Sequence, residues 1–158
     1  MHCRFKQNKT TIPKGITRDY PKYEVRGFML DVGRKSFDFN TVKEFAKNMA
    51  WYKMNNFHLH LSDNLIFLED YPTMQDAIDN AYAGFRLESE IPNLTSEDTY
   101  YTKEEFRSFI KDSRNMGVNI IPEFDMPAHA LAITRAFPNL MTKEAGGNHR
   151  YLIEEHGH

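Results

Sequence analysis

Apolar positions along this chain alternate between two spacings. Three compact apolar runs, at 27–32, 57–61 and 118–124, are too short for helices and read as buried strands. Each runs at its C-terminal end into polar and ionisable residues: Asp31 and Arg34 after the first, His60 and Asp63 after the second, Glu123 and Asp125 after the third. Between the runs the spacing becomes helical. Over 41–53, Val42, Phe45, Ala46, Met49 and Ala50 recur at i, i+3, i+4, one face of a helix, with Asn40 as the expected N-cap. Thr102-Lys103-Glu104-Glu105 is a capping box. It opens a helix whose face is Phe106, Phe109, Ile110 and Ser113 and which Gly117 closes. Pro127 suits the first turn of a further helix over roughly 128–136, ended near Pro138.

Strand and helix in alternation predict an α/β chain with a parallel sheet and right-handed crossovers. The layout is that of a (β/α)8 TIM barrel, where chemistry sits at the C-terminal ends of the strands. The 158 residues fall short of a closed barrel, which typically takes about 250. The expected fold is therefore a partial TIM barrel of about the first three β/α units. Residues 1–22, polar with Pro13 and Pro21, read as an N-terminal arm or linker, and 23–158 as the barrel portion. The acidic stretch 63–101 far exceeds the usual connection of about 2–6 residues. Insertions on that face of a barrel build sites.

Composition narrows the partners. A net charge of -2 gives no electrostatic footprint for nucleic acid or an anionic membrane. No stretch approaches the roughly 20 apolar residues of a membrane span. The single cysteine, Cys3, excludes an internal disulfide. The N-terminus has no apolar core of a signal peptide, which leaves localisation open. Asn8-Lys9-Thr10 and Asn93-Leu94-Thr95 are glycan acceptors only in a eukaryotic secretory route.

Three groups of residues carry chemistry. His58 and His60 lie two apart in a strand and share a side. Such a pair can be two ligands of a metal-dependent hydrolase, with Asp125 and His129 completing the set, or can line the barrel and hydrogen-bond to neighbours or substrate. Spacing leaves both open. Glu123 and Asp125 also share a face. A carboxylate pair invites a glycosidase reading, yet working pairs flank the scissile bond, whereas neighbours on one strand lie side by side. The favoured reading is a paired Glu123 with Asp125 orienting another group. Arg26 opens the first strand, and Asp31 and Arg34 close it. A guanidinium donates well to adjacent hydroxyls or to carboxylates, so a sugar contact is reasonable.

The wording of these segments resembles one family. Arg26-Gly-x-x-Leu-Asp31-x-x-Arg34, Met54-Asn55-x-x-His58-x-His60-x-x-Asp63 and Pro122-Glu123-Phe124-Asp125-Met126-Pro127-Ala128-His129 are similar, in this order, to the first three strand motifs of the family-20 glycoside hydrolases, the β-N-acetylhexosaminidases. Phe85-Arg86-Leu87-Glu88 and Tyr101-Thr102-Lys103-Glu104-Glu105 resemble further family elements. The likeness spans roughly 24–140, and the long insertion resembles Gram-positive bacterial members most.

The resemblance implies an exo-acting enzyme that removes terminal N-acetylhexosamine from glycans, with no cofactor and no metal, from a family often secreted or cell-surface. It implies that Arg26 donates to the sugar-ring hydroxyls. Asp63 and His129 would line the same subsite, with His129 close to the acid/base glutamate. His60, Glu123 and Asp125 would support them. The family often has a second Asp where this chain has Asn64, and Gly where it has Ala128. In the family mechanism the substrate's 2-acetamido oxygen attacks the anomeric carbon, an Asp holds that group, and the adjacent Glu protonates the leaving oxygen. That Asp-Glu pair belongs to a His-x-Gly-x-Asp-Glu run on the fourth strand, and no Asp-Glu dipeptide occurs in this sequence. The expectation is a fragment with no catalytic residue of its own, inactive alone. The alternative is a non-catalytic partial barrel that binds a sugar or pairs with another chain through its open sheet edge.

Overall fold

The computed structural model describes residue 11 and residues 14–140. Cys3, the Asn8 sequon and the tail from 141 lie outside the described residues. Residues 14–25 are exposed and carry no regular element. Then follow β1 (Gly27–Asp31), α1 (Phe39–Trp51), β2 (Asn56–His60), β3 (Ser62–Leu65), α2 (Met74–Asp79), β4 (Tyr82–Phe85), α3 (Lys103–Asn115), β5 (Asn119–Glu123) and α4 (Leu131–Ala136).

The three expected strands are β1, β2 and β5. They form a parallel sheet in that order. Its register places Phe28 beside Phe57 and Ile120, and Asp31 beside His60 and Glu123. Side chains alternate along each strand, so the sheet has two distinct faces. One carries Phe28, Leu30, Phe57, Leu59 and Ile120, and α1 and α3 cover it. Its core joins Phe57, Leu59 and Ile120 to Val42, Ala46 and Met49 of α1 and to Phe106 and Phe109 of α3. Aromatic rings tie the layers together. Phe39 stacks on Tyr101 at 4.5 Å and meets Phe109 edge-on at 5.4 Å, and Phe109 meets Phe57 at 6.5 Å. Each such pair contributes about 0.5–1.5 kcal/mol beyond its buried area.

The other face carries Met29, His58 and Ile121, then Asp31, His60 and Glu123. Met29 is 49% exposed and Ile121 40%. A barrel interior would cover these positions. The α/β chain with a parallel sheet is thus consistent with part of a barrel.

Both helix boundaries rest on side-chain caps. The α1 cap is Asp38, whose carboxylate accepts the Asn40 N–H at 2.8 Å. Asn40, the expected cap, is already inside the helix, because Phe39 turns inward to the core and starts it two residues earlier. The Thr102 capping box forms as read, with the Thr102 hydroxyl accepting the Glu105 N–H and the Glu105 carboxylate accepting the Thr102 N–H. Gly117 follows α3 at φ 83°, the left-handed conformation that favours glycine. Pro127 does not open a helix. Residues 127–130 form a turn, and α4 starts only at Leu131.

The insertion 63–101 holds structure that the spacing did not predict. One residue after β2 the chain leaves the parallel sheet and pairs as β3 with β4, antiparallel, Asp63 opposite Gly84. Leu61 marks the switch: its N–H still bonds the Glu123 carbonyl at 3.0 Å, while its carbonyl accepts the Arg86 N–H at 2.8 Å. The hairpin therefore stands directly on the C-terminal end of the sheet.

Candidate functional site

The register alone brings Asp31, His60 and Glu123 to one level at the C-terminal edge of the sheet. The β3 turn adds Asp63, 1% exposed, and the turn after β5 adds His129. His129 sits at φ 56°, a left-handed conformation costly for a residue with a Cβ and often found at functional sites.

Asp63 is the hub. Its Oδ2 lies 2.8 Å from Arg34 Nη2 and 2.5 Å from His60 Nε2, and its Oδ1 lies 2.9 Å from His129 Nδ1. The Asn64 N–H donates to Oδ1 at 2.6 Å. So position 64 serves Asp63 through its backbone, and the Asp-to-Asn departure there leaves this contact intact. Arg34 donates to Asp31 Oδ2 at 2.7 Å, and its own N–H donates to Asp31 Oδ1 at 3.0 Å. The guanidinium thus spans two carboxylates and also lies 3.3 Å from His129 Nδ1.

A second layer lies below. Glu123 Oε2 is 2.5 Å from His58 Nε2 and 3.0 Å from His60 Nδ1, both at ion-pair distance though poorly angled for a hydrogen bond. His60 therefore stands between two carboxylates. Burial opposes its charged form, but Asp63 and Glu123 outweigh burial and raise its pKa above the ordinary histidine value. Burial likewise pushes Glu123 up, while His60 and His58 outweigh it and hold the carboxyl below its usual range. Asp31 is lowered in the same way: burial raises it, and the Arg34 hydrogen bonds with the nearby His60 charge prevail.

The sequence-derived residues converge with one exception. Asp63, His129, His60 and Glu123 meet as described. Asp125 follows one strand step beyond Glu123, within 4.8 Å of its carboxylate and of His60, with its N–H on the Ser62 hydroxyl. Arg26 does not join them. Its guanidinium donates to the carbonyls of Lys53 at 2.7 Å, Tyr23 at 2.6 Å and Glu24 at 3.1 Å, at the opposite end of β1. Five residues of strand separate it from Asp31, a distance of about 16 Å that no arginine spans. The arginine that reaches the cluster is Arg34. Its place after the strand's C-terminal end was the available signal.

Among the described residues two groups, Asp31-His60-Asp63 and His60-Glu123-Asp125, have donor atoms near enough together to hold a metal ion. In the first, protein partners already engage the donors; in the second, His60 Nδ1 and Glu123 Oε2 meet only as an ion-pair contact. Arg34 bridges Asp31 and Asp63, and both His60 nitrogens face carboxylates.

Residues 23–156 match the sequence profile of glycosyl hydrolase family 20, catalytic domain. The chain belongs to this family. Among the relatives of this family-20 chain, a beta-hexosaminidase of Akkermansia muciniphila is 30% identical over 153 residues, which cover 90% of this chain and 30% of that protein. The N,N'-diacetylchitobiase of Vibrio harveyi is 30% identical, covering 94% of this chain and 19% of that protein. The chain thus spans less than a third of these relatives' length. Solved structures agree. A Flavobacterium johnsoniae chitobiase superposes with a TM-score of 0.61 at 35% identity, over 77% of this chain and 16% of that one. A mutant Streptomyces plicatus beta-hexosaminidase in complex with product GlcNAc gives 0.61 at 29% identity, over 82% and 24%.

Proposed function

We propose that this chain supplies the first three β/α units of an exo-acting β-N-acetylhexosaminidase and the polar wall of its terminal-sugar subsite. The observation that carries the reading is the Asp63 carboxylate, buried and held at once by Arg34, His60 and His129. A sugar ring presents hydroxyls that both donate and accept. A charged fork beside a fixed carboxylate answers both needs. Arg34, 39% exposed at its side chain, donates to the ring hydroxyls, and Asp63 accepts from them. His129 lies at the edge nearest the next strand, where a general acid would protonate the leaving oxygen. His60, Glu123 and Asp125 hold Asp63 in place and do not touch the sugar.

In this reading the retaining, substrate-assisted reaction takes its Asp-Glu pair from beyond these residues. General acid catalysis is typically worth 10²–10⁴-fold, and loss of the Asp also unfixes the attacking acetamido group. The 158 residues alone are then inactive.

The test compares two arginines. In an extended form that carries the His-x-Gly-x-Asp-Glu run, Arg34→Ala should lower kcat/KM on an aryl N-acetyl-β-glucosaminide by about 2–4 kcal/mol, the scale of removing one charged hydrogen bond from a desolvated site. Arg26→Ala should leave it within about tenfold of wild type, since a residue at the far end of the strand acts only through stability. The reverse ranking would overturn the assignment.

A further inference from the structure

Arg86 is the bulkiest fully buried side chain among the described residues, at 0% exposure, and it lies just past β4, outside the strands that carry the site. Its Nε donates to the Val32 carbonyl at 2.7 Å and its Nη2 to the Gly33 carbonyl at 3.1 Å. Its Nη1 donates to Asp98 Oδ1 at 2.6 Å and to the Thr99 carbonyl at 2.9 Å, and Nη2 also meets the Tyr82 hydroxyl.

Val32 and Gly33 are the two residues between Asp31 and Arg34. Their N–H groups both donate to the His60 carbonyl, at 3.1 and 3.0 Å. The turn is thus held from two sides, its amides by β2 and its carbonyls by Arg86. The insertion also presses on it directly. A Cβ on Gly84 would lie 2.1 Å from the Gly33 carbonyl oxygen, and one on Gly33 would lie 2.9 Å from the Asp63 nitrogen. Only glycines allow the hairpin and the turn to lie so close.

We propose that Arg86 is a positioning residue of the sugar site: by holding both carbonyls of the Val32–Gly33 turn it fixes Arg34 across Asp31 and Asp63 before substrate arrives. The proposal rests on the functional reading above for the role of Arg34. An arginine suits the task because a planar fork donates in several fixed directions at once, whereas a lysine offers one compact centre. Asp98, at the solvent edge, balances the buried charge. The long insertion then acts on affinity as a brace for the first strand's turn, without touching the sugar.

A purely structural Arg86 would lower stability and leave affinity alone, so the test is a double-mutant cycle. In the extended form carrying the Asp-Glu run, Arg86→Lys should raise KM for the aryl N-acetyl-β-glucosaminide about tenfold, within the range of coupling between contacting elements, with kcat changed much less. The double variant Arg34→Lys/Arg86→Lys should be no worse than Arg34→Lys alone, because Arg86 acts through Arg34. Additive losses, or a lowered Tm with wild-type KM, would overturn the proposal. If Arg86→Lys does not fold, Asp98→Asn loosens the same anchor from the surface and must show the same non-additivity. A second readout needs no turnover. In the 158-residue chain the Arg34 Nη–H resonances should be protected from exchange, and Arg86→Lys should remove that protection. Unchanged Arg34 resonances contradict the proposal. Should Arg34→Lys itself leave KM unchanged, the functional reading fails, and the resonances still judge Arg86.

Discussion

Two carboxylates, Asp63 and Glu123, face the two nitrogens of His60 at 2.5 and 3.0 Å. Protonation lets the ring face both carboxylates favourably, through a hydrogen bond to Asp63 and an ion-pair contact with Glu123. The raised pKa of His60 makes its charge a stability term with a definite sign. A group whose folded pKa is raised contributes fully below its unfolded value, about 6.5, and loses that contribution as pH rises through the folded value. Glu123 and Asp31, both lowered, contribute above their unfolded values and lose it as pH falls. Urea unfolding at pH 5.5 and 8.5 should show His60→Gln losing more stability relative to wild type at the lower pH. An equal loss at both would mean that folding does not shift the titration of the ring. This scale was only partly legible in the sequence. Asp63, His129 and the supporting carboxylates follow from strand ends and motif wording. The choice of Arg34 over Arg26 was open to the sequence through their places after and before the strand, but chemical type alone does not separate the two.

The regular elements were legible where periodicity and caps agree. β1, β2 and β5, and the faces of α1 and α3, follow from apolar spacing that the parallel sheet then buries. The α3 ends were the clearest signals of all. Thr102→Ala should cost about 1 kcal/mol through loss of its cap. Gly117→Ala should cost about as much, because φ 83° strains any Cβ although open space surrounds that position. Denaturant titration of both variants checks this, and a stabilised Gly117→Ala would show that the turn relaxes. The hairpin was not legible. Ser-Asp-Asn-Leu and Tyr-Ala-Gly-Phe show neither alternation nor a turn signal. Long-range interactions form it: Arg86 on the Val32 and Gly33 carbonyls, and the close approach of Gly84. The delayed start of α4 has the same origin, since His129 is drawn back toward Asp63.

At the scale of the molecule, the sheet has one finished face and one unfinished face. Helices seal Phe57, Leu59 and Ile120, while Met29 and Ile121 stay open on the side that carries the charged cluster. That asymmetry is what part of a barrel looks like, and it separates binding from chemistry. The described residues hold a convergent polar cluster, proposed above as a subsite, and the sequence contains no Asp-Glu dipeptide. The most direct test of this division is chromophore release from an aryl N-acetyl-β-glucosaminide. The 158-residue chain should give no more than a heat-killed control, and the form extended through the Asp-Glu run should turn over, with Asp63→Asn depressing it. Robust turnover by the 158 residues alone would contradict the account and would make Glu123 and Asp125 the first residues to examine as the catalytic pair.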